Sequence, residues 1–564
     1  MRLSATVLLL TSVLSAEPIT LYFKGNSRIG DDALYSALNL YNPSTLEIWE
    51  KPPAIDPVAL PQTISALSSY YRSKGYYHAK ITASENPDAI TLQIEENDPI
   101  TVGNVQVNSI LPVDVSISLS ENDIFDQEAF SASKTAMKKR YADAGYCNAN
   151  FNTKAWVDIE TDKAYLLFEA TPGEKCTFGA ISVETTPNID GNLTASMLRF
   201  KEGDPYNVEA IRQSYETLYA QEGISRVLIN DNIREGNTVP ITVSIEENDK
   251  PIRFTAGLGY SSDLGAAAQA GVKHRNFFGD LKTLSLDARY SQIKQEASGL
   301  FTLPLENRGQ LGAEVGYKNE IFDGYKTKST YEKISARYQD IPASAVAGIL
   351  FDTIRTYDSD DIATFPNSSL FITSPFGELN YDTRDKPLEP TRGYWLNGKL
   401  TGSLLLPSVS EATYFKSLLS GAYITSIGTH VFGAKLKWGT LRVYDGEVPS
   451  SYRFYAGGMN SNRAYSYRDL GPKNSDGDPL GFQSIMEGSV EYRFPVYEEF
   501  RGVLFTDFTF ASDAYIPDYA NDSYYGVGAG LRYETPVGPI AIDVGFDPED
   551  SSQYAIHFRI GELF

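Results

Sequence analysis

From about Arg253 onward, apolar and polar positions alternate with a period of two. Ile540, Ile542, Val544 and Phe546 share one face while Ala541, Asp543 and Gly545 share the other. Tyr525, Val527, Ala529, Leu531 and Tyr533 likewise oppose Gly526, Gly528, Gly530, Arg532 and Glu534, and Phe432, Ala434, Leu436 and Trp438 oppose Gly433, Lys435, Lys437 and Gly439. Successive side chains of a strand point to opposite faces, so each segment is a strand with one apolar and one polar side. Many hold the pattern for roughly 10 residues, enough for a tilted strand to cross a bilayer, whereas a soluble sandwich needs only about 5 or 6. The expected fold of residues 252–564 is therefore a transmembrane antiparallel β-barrel of about 16 strands. Short connections such as Gly428-Thr429 and Pro536-Val537-Gly538 alternate with longer ones, Tyr357 to Ser368 and Asp513 to Asp522. That asymmetry fits short periplasmic turns and long outer loops.

The first half follows a different pattern, and it repeats. Ile94-Glu95-Glu96-Asn97-Asp98-Pro99-Ile100 recurs as Ile245-Glu246-Glu247-Asn248-Asp249-Lys250-Pro251-Ile252, with a looser copy at Phe168-Glu169-Ala170-Thr171-Pro172-Gly173-Glu174. Each closes an alternating strand: Ile90, Leu92, Ile94; Ala164, Leu166, Phe168; Ile241, Val243, Ile245. Upstream of each lies a helical face (Ile64, Leu67, Tyr70, Tyr71; Met137, Tyr141; Ile211, Tyr215, Leu218, Tyr219) that stops at Gly75, Gly145 and Gly223, as a C-cap glycine requires. The expectation is three α+β units of strand, helix, helix, strand, strand, each of roughly 75 residues, with boundaries at 17–99, 100–175 and 176–251.

Composition adjusts this picture in a few places. Arg2, the apolar run Ala5 to Leu14 and the small Ser15 and Ala16 read as an export signal over residues 1–16. No later apolar run reaches the length of a membrane helix. The 37 Tyr, 28 Phe and 44 Gly suit barrel strands. A net charge of −23 argues against a nucleic-acid partner, which needs a basic surface. Cys147 and Cys176 are the only cysteines; in an oxidising compartment they either form one bond or remain two thiols. No nucleophile elbow, Walker loop or zinc helix occurs, and His78, His274, His430 and His557 are scattered. Neither an enzyme nor a cofactor is expected.

Longer motifs point to a family. Phe454-Tyr455-Ala456-Gly457-Gly458-Met459-Asn460-Ser461-Asn462-Arg463-Ala464-Tyr465 resembles the sixth extracellular loop of the BamA superfamily, whose core is Val/Ile-Arg-Gly-Phe/Tyr after a Gly-Gly element. Gly457, Gly458, Arg463 and Tyr465 match, while Asn462 and Ala464 depart. Glu491-Tyr492-Arg493-Phe494-Pro495, Phe505-Thr506-Asp507, Tyr381-Asp382-Thr383-Arg384-Asp385 and Gly528-Ala529-Gly530-Leu531-Arg532 through Pro539 resemble further family stretches, in the family's order. The repeats resemble POTRA domains, which in the family pass client polypeptides to the barrel; a plain spacer has the same element order.

The resemblance implies that Arg463 enters the lumen and pairs with Glu491 and Asp507, since an unpaired charge away from water is costly; a solvated loop arginine is the bland alternative. It also makes the closing strand, with Tyr554, Ile556, Phe558 and Ile560 outward and Gly561 and Phe564 at its end, one side of a weak seam against residues 253–262, where a client strand could pair. Three repeats in 564 residues look most like TamA within that superfamily. TamA implies a TamB-like inner-membrane-anchored partner, unfolded outer-membrane or autotransporter clients, and outer-membrane lipid around the barrel. The rival readings are a reduced BamA-type general insertase, a dedicated secretion pore and a passive porin-like channel.

Overall fold

The computed structural model describes residues 18–42, 52–86, 89–111, 117–386, 389–403, 410–497, 500–533, 535, 540–550 and 552–560. The export signal, the turn Pro536-Val537-Gly538, Gly561 and Phe564 lie outside them. The chain falls into two compact units, residues 1–182 with 199–213 and 230–242, and residues 183–198 with 214–229 and 243–564.

The first repeat comprises β1 (Ile19–Lys24), α1 (Asp31–Ala37), β2 (Ala54–Ile55), α2 (Leu60–Ser73), β3 (Lys80–Asn86) and β4 (Ala89–Glu95), in a sheet of order β2-β1-β4-β3. Alternation in β4 buries Ile90, Leu92 and Ile94, and helical spacing in α2 buries Leu60, Thr63, Leu67 and Tyr71 against them. The repeat marker has a mechanical reason: Glu96 accepts the backbone N–H groups of Ser27 (3.0 Å), Arg28 (2.8 Å) and Ile29 (3.1 Å), and the Tyr71 hydroxyl (3.2 Å). Burial opposes its charge, but the Arg28 and Ile29 amides and the hydroxyls of Ser27 and Tyr71 outweigh it, holding this carboxyl below the usual range. Its counterpart Glu247 accepts Asn188 Nδ2 (3.0 Å) and Asn276 Nδ2 (2.6 Å).

The second repeat has β5 (Thr101–Asn108), α3 (Gln127–Asp143), β6 (Asn150–Asp158) and β7 (Lys163–Thr171), with sheet order β5-β7-β6. Met137 and Tyr141 of α3 pack on Ala164, Leu166 and Phe168. Among the described residues it carries one helix, where two were expected. Residues 117–126 are irregular, because Ser118 N–H donates to Ser133 Oγ (3.1 Å) and Ser120 N–H to Asp123 (2.7 Å), side-chain bonds that compete with a helix. The next stretch holds β8 (Thr177–Glu184), α4 (Gly191–Ser196), α5 (Val208–Tyr219), β9 (Ile224–Asn230) and β10 (Thr238–Glu247), in a sheet of order β8-β10-β9.

One joint recurs along the chain. The carbonyls of Gly75, Gly145 and Gly223 accept the N–H of Ile100, Cys176 and Asn248, each at 2.8 Å. An ion pair sits beside each: Lys74 with Asp126 (2.9 Å), Lys139 with Glu209 (3.4 Å), and Lys273 with Glu222 (2.8 Å). A disulfide between Cys147 and Cys176 fastens the middle one.

Sixteen antiparallel strands then close a barrel: β11 (Ile252–Ser261), β12 (Gly265–His274), β13 (Thr283–Ser291), β14 (Lys294–Pro304), β15 (Gly309–Phe322), β16 (Tyr325–Asp340), β17 (Ala343–Tyr357) and β18 (Ser368–Asp382). They continue with β19 (Gly393–Gly402), β20 (Thr413–Ile427), β21 (His430–Asp445), β22 (Ser484–Tyr497), β23 (Phe500–Ser512), β24 (Asp518–Tyr533), β25 (Ile540–Phe546) and β26 (Tyr554–Ile560). Outward apolar side chains such as Phe254, Leu258 and Ile427 are exposed, the arrangement a lipid-facing wall needs. The expected asymmetry of connections holds only in part. The three outer turns 262–264, 292–293 and 323–324 are short, and the loop expected at Asp513 to Asp522 shrinks to 513–517 because β24 begins at Asp518.

Candidate functional site: a loop pinned in the lumen beside a seam

The longest connection, 446–483, joins β21 to β22 at the barrel end away from the repeats' entry into β11. It doubles back on itself: Phe454 N–H donates to the Phe482 carbonyl (2.8 Å) and Phe482 N–H to that of Phe454 (2.7 Å). Phe454, Ala456, Leu470, Phe482 and Ile485 bury this base. Gly457 (φ +97°) and Gly458 (φ +105°) turn the chain in a region other residues avoid, and Gly458 N–H closes the tip on the Tyr465 carbonyl (3.0 Å).

At that tip Arg463 is 3% exposed. Its Nε donates to Asp507 Oδ2 (2.8 Å) and Nη2 to Asp507 Oδ1 (2.9 Å), a forked pair. Nη1 donates to Glu491 (2.9 Å), Nη2 also to Ser489 Oγ (3.0 Å), and the guanidinium lies 3.4 Å over the Phe505 ring. The Arg463 N–H adds a bond to Asp507 (3.0 Å). Tyr465 donates its hydroxyl to Asp547 (2.5 Å), and burial with that carboxylate nearby pushes its phenol above the ordinary range. The arrangement has no reacting centre; it fixes a loop in position.

Several participants were not identified from sequence. Asp543 joins the cluster, 3.6 Å from Arg463 Nη1 and bonded to Arg532 (2.7 Å). A Cβ on Gly545 would lie 2.2 Å from the Arg463 carbonyl, so only glycine lets the loop backbone press on the wall. Alternating glycines on the polar face were the visible sign of that approach. His557, set aside as scattered, meets the Arg463 carbonyl (3.1 Å) and Asp263 (3.3 Å).

The seam lies beside this cluster. β11 pairs with β26 through Tyr260 with Ile560 and Ser261 with Arg559, and Ser262 N–H donates to the Phe558 carbonyl (2.9 Å). From His557 to Tyr554 the last strand runs past the end of β11 and ladders only with β25. Tyr554 and Ile556 are exposed on the outer face, Phe558 is half-buried, and Ile560 points outward with them. The wall next to the seam is also shorter: β11 and β12 have 10 residues and β13 has 9, against 14 to 16 in β15 through β18.

Comparison with known proteins places this geometry. The Omp85 superfamily domain is matched over residues 276–564, and the POTRA family, described as a surface antigen variable number repeat, over 21–97 and 113–173. The outer membrane protein assembly factor BamA of Nitratidesulfovibrio vulgaris is 23% identical over 545 residues, covering 89% of this chain and 67% of that protein. BamA of Neisseria meningitidis is 21% identical over 643 residues, covering 98% and 78%. The structure of Haemophilus ducreyi BamA lacking POTRA domains 1-3 superposes with a TM-score of 0.60 at 17% identity, over 82% of this chain and all of that one. These likenesses overturn the TamA assignment. It rested on repeat number, and modular repeats can change in number without altering the barrel they feed. With two POTRA-type repeats matched, a closed sixteen-strand outer-membrane barrel and the repeats in the periplasm, the chain belongs to the Omp85 superfamily.

Proposed function

We propose that this chain is an outer-membrane protein assembly factor whose periplasmic arm receives unfolded outer-membrane clients and whose β11–β26 seam admits them to the bilayer. The seam carries the reading. From Tyr554 to His557 the last strand presents an edge that β11 does not cover, and uncovered edges template the pairing of another strand. Short strands at that side span less of the bilayer than the 14 to 16 residues opposite, which favours thinning the lipid where a client enters. Arg463 holds the loop against β22, β23 and β25, so the lumen is partly filled, which suits an insertase better than a porin.

In this reading the arm has three repeats, 17–99, 100–175 and 176–251, ahead of the barrel at 252–564. The element order of β8, α4, α5, β9 and β10 supports the third. Clients would pair with the sheet edges of the arm. A TamB-like partner rested on the TamA likeness alone. The test is the folding rate of an added unfolded outer-membrane barrel in liposomes holding the full chain, the chain without its arm, or no protein. Acceleration by the full chain that falls without the arm is expected; steady ion conductance with no acceleration would replace this function with a pore.

A further inference from the structure

Behind the seam is a cavity of about 280 Å³ lined from β11, β13, β14 and β15, from the loop and from β26. Its cations are Arg289, Lys294, Arg468 and Arg559, and its carboxylates Asp263, Glu296 and Glu320. In a chain of net charge −23 this is a local excess of positive charge. Each carboxylate is already engaged. Asp263 accepts the Met459 N–H (2.9 Å), Glu296 pairs with Lys294 (2.8 Å), and Glu320, 5% exposed, pairs with Lys318 (2.5 Å) and with Arg468.

Two guanidinium nitrogens have no such partner. Arg468 Nη1 and Arg559 Nε are buried without a hydrogen bond among the described residues. A guanidinium cannot shed its proton, so these N–H groups need an acceptor, and leaving a buried charged donor unmatched forfeits its hydration. The cavity is several times the ~30 Å³ share of one water molecule, and its fixed cations favour an acceptor that carries charge. We infer that it binds an oxyanion of the phosphate class, held by the Arg468 and Arg559 N–H groups. Arg468 belongs to the loop and Arg559 to the closing strand, so a bound anion joins the plug to the seam. The inference stands apart from the assembly reading, since it concerns binding alone.

The anion could be soluble phosphate or a lipid headgroup, and one experiment separates them. Inorganic phosphate is titrated calorimetrically into the purified full chain in a zwitterionic detergent, then repeated with short-chain phosphatidylglycerol present. Saturable binding is expected, weakened about tenfold by Arg559→Gln, the scale of one charge-assisted bond. Lys294→Gln weakens it less and Glu296→Gln tightens it, because that change removes a lining carboxylate. Displacement by phosphatidylglycerol assigns the site to a headgroup phosphate; no displacement assigns it to the soluble ion. Heat-modifiable gel migration verifies folding, and if Arg559→Gln does not fold, the opposite shifts of Lys294→Gln and Glu296→Gln carry the test. Absence of saturable binding, or affinity unmoved by these substitutions, overturns the inference.

Discussion

Replacing Arg463 by alanine removes the cation shared by three lumen carboxylates, and the damage is unequal. Glu491 keeps Arg493 (2.6 Å) and Asp543 keeps Arg532 (2.7 Å). Asp507, fully buried, keeps no ion pair among the described residues. Removing one member of a buried, hydrogen-bonded pair costs about 3–5 kcal/mol, mostly through the charge left behind. The loop should therefore leave its docked position more readily by roughly a hundredfold to a few thousandfold. Hydrogen exchange at the loop's Met459 and Arg463 N–H groups measures this directly, since they donate outside the loop, to Asp263 (2.9 Å) and Asp507 (3.0 Å), and are protected by docking. The barrel ladders should keep their protection, because their bonds do not involve the loop. The reasoning also predicts that Asp507→Asn, added to Arg463→Ala, restores much of the protection by removing the stranded charge. Unchanged exchange of the loop in Arg463→Ala would refute the pinning role. An additive double variant would refute the account of its cause.

Three further outcomes follow from particular contacts. Gly545→Ala places a Cβ 2.2 Å from the Arg463 carbonyl and should cost about 1–3 kcal/mol of loop docking by overpacking, read by the same exchange. Glu96→Gln should destabilise the first repeat by about 1–3 kcal/mol at pH 7, through weakened bonds to the amides of residues 27–29. Glu96's carboxyl is held below its unfolded value, so its contribution is complete above the unfolded pKa of about 4.3 and is lost as pH falls through the folded one. The gap between wild type and Glu96→Gln should then close on acidification, and a constant gap would contradict it. Cys147→Ser opens a loop of 29 residues and should cost about 3.5 kcal/mol in the chain-entropy treatment, visible as a lower denaturant midpoint for the arm.

Features set by local rules were legible in the sequence. Alternation told the outward face of each strand because lipid and water impose opposite chemistry on neighbouring residues, and Ile90, Leu92 and Ile94 showed the arm's core for the same reason. The Arg463, Glu491 and Asp507 constellation came through motif order. What stayed hidden depends on closure of the barrel. His557 meets Asp263 across 294 residues, and no spacing rule reaches that far. Asp543 looked like one more lumen carboxylate until the loop came down on it. Among the described residues the second repeat has one helix rather than two, and the irregular run at 117–126 has a local cause in the side-chain bonds around Ser118 and Ser120. The TamA assignment failed because a count of modules is not a property of the barrel.

The central claim is that clients enter at the seam, and a reversible lock tests it most directly. Tyr260 and Ile560 are direct partners across β11 and β26, so Tyr260→Cys with Ile560→Cys should form a disulfide that closes it. The measurement is the folding rate of an unfolded outer-membrane barrel in liposomes containing this variant, oxidised and then reduced, beside wild type treated the same way. The account predicts that oxidation abolishes the acceleration and reduction returns it to the level of wild type reduced in parallel, while oxidation leaves wild type unchanged. Equal acceleration by the locked and unlocked forms would contradict it and move client entry away from this seam.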